Sequence, residues 1–112
     1  DYKISRVSEV IENNSILESL ALSGKLCCTW QLSMLLQTLQ SKENLALKNI
    51  DLSNLVFEDK FEQADVRNLR VFLQAKYNFQ IIISKTAFED EMLTDIQESP
   101  FVKSGQLIIK EE

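Results

Sequence analysis

Histidine is absent from the 112-residue sequence, which removes Ser-His-Asp triads, histidine metal sites and imidazole acid–base chemistry together. Glycine occurs only at Gly24 and Gly105, so neither a phosphate-cradling P-loop nor a dinucleotide-binding turn can be written. With one proline, Pro100, and no low-complexity run, the whole chain is expected to fold. The only cysteines, Cys27 and Cys28, are adjacent. Neighbouring cysteines can form only a strained disulfide, so both are read as reduced thiols in packing roles, which implies an intracellular compartment. No apolar run reaches the roughly 20 residues that span a bilayer, and no basic-then-apolar leader opens the chain, so a membrane partner is not expected. The sequence begins at Asp1 rather than Met and is read as a single domain, residues 1–112, excised from a longer protein. Basic residues are also few. Twelve Lys and Arg stand against 17 Asp and Glu, a net charge of −5, and such a surface repels phosphate backbones on average.

What is present suits one globular core: 45% of residues are hydrophobic and 26% charged, and at this length folding buries roughly 60–70% of the unfolded surface. Ile4, Val7, Val10, Ile11, Ile16, Leu17, Leu20 and Ala21 recur largely at three- and four-residue steps, predicting a first helix that Gly24 ends and that Asn13-Asn14-Ser15 can break into two. A second helix is expected from Thr29, as N-cap, to Gln40. It is apolar on more faces than one core contact requires. From Ser41 to Lys60 the pattern is mixed, with Asp51 and Ser53 as caps of a short helical turn. A third helix spans roughly Phe61 to Tyr77. Two β-branched segments, 79–83 and 106–110, read as strands. The connection Ser84–Gly105 is too long for a tight hairpin and holds a small helix before Pro100. No internal repeat is visible.

The carboxylate groups Glu58-Asp59, Glu62 with Asp65, and Glu89-Asp90-Glu91 sit in turn-like or helical surface positions and are read as solvated faces, not catalytic pairs or metal ligands. No base accompanies the serines and threonines. Catalytic, cofactor-binding and metal-binding residues are therefore all expected to be absent, and function is sought in binding. Trp30, the only tryptophan, opens the most apolar helix. It can serve as a core anchor or, with Met34 and Leu36, as an interface anchor covered by a second copy or another subunit. Arg67, Arg70 and Lys76 would be the DNA contacts of a groove-reading third helix. Local charge opposes that alternative. Three bases against Glu62 and Asp65 leave residues 61–77 at only +1. From residue 85 onward three lysines face seven carboxylates, a net of −4.

Three helices followed by two apolar strands resemble a winged-helix domain, with Ser84–Gly105 as the wing. Thr29-Trp30-Gln31-Leu32, Asp65-Val66-Arg67-Asn68-Leu69-Arg70 and Gln106-Leu107-Ile108-Ile109 are similar to the dimerising C-terminal winged helix of silencing proteins in the Orc-like AAA family. The resemblance implies an α+β winged-helix fold and a nuclear, non-catalytic homodimerisation module of a chromatin-associated repressor. It carries over no functional residue.

Overall fold

The computed structural model describes residues 18–41 and 46–111. Ile50 and Leu52 alternate with half-exposed neighbours in β2 (Asn49–Phe57), and Ile81 and Ile83 do the same in β3 (Gln80–Ser84). That period of two is the signature of a strand with one face buried. Before them lie β1 (Ser19–Cys27) and α1 (Thr29–Gln40), and α2 (Gln63–Ala75) joins β2 to β3. A 3-10 turn (Lys85–Ala87), α3 (Asp90–Gln97) and α4 (Pro100–Lys103) then lead to β4 (Leu107–Lys110). The four strands are all parallel, in the order β1-β2-β3-β4.

A parallel pair needs a crossover, and right-handed crossovers that step in one direction place every helix on the same face of the sheet. Burial agrees. Leu32, Leu35, Leu36 and Leu39 of α1, Leu69, Phe72 and Leu73 of α2 and Ile96 of α3 share one core cluster with Ile50, Leu52, Ile81, Ile83 and Leu107. The opposite face carries the row Ala21, Asp51, Ile82 and Ile108, aligned strand to strand by the register and all outside the buried core. Phe61 and Phe88 form an isolated bridge beyond the strand ends, their rings 4.9 Å apart. Phe57 meets Phe61 edge-on at 5.5 Å, and together the three rings plug that end of the core.

The structure overturns the winged-helix expectation. Ser84–Gly105 is no wing between antiparallel strands but a helical crossover between parallel ones. Its length is what such a connection requires. Leu20, Ala21 and Gly24 belong to β1, so the predicted first helix does not run to Gly24; its part from Ile4 to Leu17 lies outside the described residues. Within the mixed stretch, Asn49–Phe57 is β2, broken by an irregular register opposite Ala21 and Ser23 that disguised the period of two. Asp51 accepts from the Ser53 backbone N–H (2.9 Å) and hydroxyl (2.6 Å) within that strand instead of capping a helix. Cys28, not Thr29, is the N-cap of α1. The strands begin at residues 19, 49, 80 and 107, so strand–helix units do recur about every thirty residues, a repeat in structure that the sequence conceals.

Candidate functional site

Residues at the C-terminal ends of the strands build the first candidate surface. None of the first-turn residues of α1 is acidic, so its exposed N–H groups need a negative partner from elsewhere. The loop after β2 supplies one. Asp59 Oδ1 accepts from Thr29 N at 3.0 Å and Asp59 Oδ2 from the Thr29 hydroxyl at 3.3 Å. Asp65, in the first turn of α2, accepts from Thr29 Oγ1 (3.0 Å), Ser33 Oγ (3.3 Å) and the Glu62 N–H (2.9 Å). Thr29 and Ser33 are buried, and these bonds satisfy hydroxyls that would otherwise be costly to desolvate. The network fixes the start of α1 against the start of α2. It is structural, and it positions what stands beside it.

Beside it stand Trp30 and Met34, one turn apart on the outer stripe of α1 and 56% and 55% exposed. Cys28 links them to the acidic loop. Its thiol lies 3.7 Å from Glu58 Oε2 and also interacts with the Trp30 side chain. Partial burial, then the charges of Glu58 and Asp59 and the Glu58 bond, push this thiol above its ordinary range, against a small opposing pull from Trp30. A raised thiol is a weak nucleophile at neutral pH. Glu58 and Asp59 are exposed, and the Cys28 contact sets the Glu58 carboxylate beside Trp30.

Of the residues expected at an interface, Trp30 and Met34 thus come together, whereas Leu36 is 2% exposed and faces the core. The expected DNA contacts separate. Arg67 and Arg70 line a groove between α2 and α3, and Lys76 lines a different pocket with Leu47, Lys48 and Tyr77 at the end of α2. Glu58 and Asp59, read from sequence as merely solvated, prove to border the surface and cap α1. Their position immediately after an apolar strand was the available signal, but only the parallel pairing shows that this loop reaches α1. Among the described residues no group of three or more His, Cys, Asp or Glu is placed to hold a metal ion, and no helix is long and apolar enough to cross a membrane. Compared with protein-family models, curated proteins and solved structures, the chain matches none.

Proposed function

We propose that this chain is a non-catalytic protein-interaction module that docks a basic, amphipathic segment of a partner protein on the outer face of α1. The exposed Trp30–Met34 pair carries the reading: tryptophan and methionine are enriched where partners meet, and tryptophan is among the commonest energetic anchors of interfaces. Glu58, which the Cys28 contact sets beside Trp30, favours a partner with cations flanking its apolar face. Thr29 and Ser33, tied to Asp59 and Asp65, hold α1 in place, so the surface is pre-organised. The chromatin setting implied by the winged-helix resemblance loses its footing with that fold and forms no part of this proposal.

Trp30 is the only tryptophan, so its fluorescence reports this surface alone. Titration with an amphipathic Leu/Lys helical peptide should shift its emission to the blue, and a Leu/Glu peptide of equal length should not. Met34→Asp and Glu58→Lys should each weaken the Leu/Lys affinity at least about tenfold, which corresponds to 1.4 kcal/mol. Unchanged emission, or equal response to both peptides, would count against the proposal.

A further inference from the structure

On the outward side of α2 and α3, charged side chains stand without an ion-pair partner among the described residues. Arg67 and Arg70, neighbours on one face of α2, line a cavity of about 280 Å3 with Val66 and with Met92 and Asp95 of α3. Both arginines are exposed, and among the described residues neither is ion-paired. Across the groove stands Asp95; Glu91, four residues before it and so on the same face of α3, extends that side, and among the described residues both are exposed and without an ion pair. The groove thus has a basic rim, an acidic rim and Val66 and Met92 between them. Val71, four residues beyond Arg67, adds a side chain that is 46% exposed.

Successive crossover helices of a parallel sheet run side by side in the same direction, and Asp95 lines the same cavity as Arg67 and Arg70, so the acidic side stands level with the basic one there. A two-fold axis running along the groove would therefore set the basic rim of one copy on the acidic rim of the other, twice over. We propose that the α2–α3 groove is a homodimer face whose occupant is a second copy of this chain. An acidic or a basic partner alone would neutralise one rim and repel the other, whereas a second copy neutralises both and covers the apolar floor. The face is separate from the Trp30 surface and does not rest on it.

Sedimentation velocity at micromolar concentration tests the proposal. At low ionic strength the protein should sediment as a dimer, and the dimer fraction should fall as salt rises from about 50 mM to about 500 mM, where the screening length shrinks to a few ångströms. Arg67→Glu with Arg70→Glu makes both rims acidic, and Glu91→Lys with Asp95→Lys makes both basic. Each double variant should be a folded monomer, because all four positions are exposed, and circular dichroism checks the fold. Mixed in equal amounts, the two variants should recover a heterodimer. Its acidic α2 rim meets a basic α3 rim, and its basic α2 rim meets an acidic α3 rim. A wild type that stays monomeric at low salt, a dimer that survives the arginine substitutions, or a mixture that remains monomeric would each overturn it.

Discussion

Asp65 shows how one carboxylate can join two helices. It closes the first turn of α2 through the Glu62 N–H and receives hydroxyl bonds from Thr29 and Ser33 of α1. Asp65→Ala removes a cap and leaves Ser33 buried without that acceptor, so stability should fall by about 1–3 kcal/mol in urea unfolding, and Asp65→Asn, which keeps an acceptor oxygen, should cost less. Asp51 behaves differently. The Ser53 hydroxyl first, then the Ser53 N–H and the attraction of Lys110, hold its carboxyl below the usual aspartate range, against partial burial. A carboxylate whose pKa is lowered on folding stabilises the fold above the pKa of the unfolded chain, and that stabilisation is lost as pH falls through the folded value. Ser53→Ala should move the Asp51 midpoint upward in an NMR titration, toward the ordinary value; an unmoved midpoint would show that the hydroxyl is not the cause. For Cys28 the sign is reversed. Glu58→Gln removes a nearby negative charge, so in a Cys27→Ser background the Cys28 thiol should be alkylated faster at neutral pH than with Glu58 in place.

Helix α1 divides its apolar residues between two duties, and substitution by charge separates them. Leu36→Asp places a carboxylate in the core and should unfold the domain, whereas Trp30→Asp should leave the melting temperature within a few degrees of wild type. An unfolded Trp30→Asp protein would show that Trp30 serves the core. The excess of apolar residues in this helix was legible before the structure, and so was its span, because periodicity over three turns is a strong local signal. Which of those residues face outward was not legible. Trp30, Met34 and Leu36 are alike in composition, and only the position of β2 and α2 decides that Leu36 turns inward. Of Phe61, Val66, Leu69, Phe72, Leu73 and Tyr77, which the spacing sets on one side of the third helix, all are buried except Tyr77, 75% exposed beyond the end of α2; the two later strands were legible for the same local reason. β1 was misread because Leu20 and Ala21 extend a helical spacing, while the partners that make them a strand lie thirty residues away. Strand direction was equally hidden: a long excursion between two strands suits a wing as well as a crossover until the pairing is seen to be parallel.

At the scale of the whole molecule, the described helices all cover one side of the sheet. Parallel sheets usually have both faces covered, yet here the described helices share one core with one set of strand residues, and the row Ala21, Asp51, Ile82 and Ile108 stays outside it. Asn49 donates to Gln80 at 2.5 Å along this second face, and Gln80 donates to the Gly105 carbonyl at 3.1 Å, so polar side chains link the strands on the side that none of the described helices covers. Gly105 itself has φ of +86°. In this left-handed conformation glycine avoids the side-chain strain that other residues meet, and the turn delivers the chain into β4. If stability is concentrated on the helix-covered side, neighbouring isoleucines of opposite facing should differ sharply. Ile83→Ala empties a fully buried site and should cost about 2–5 kcal/mol. Ile108→Ala, at a site 37% exposed, should cost less than about 1 kcal/mol. Urea unfolding of the two variants measures the difference directly. Equal losses would mean that the second face is also packed in solution, and the one-sided architecture would then be wrong.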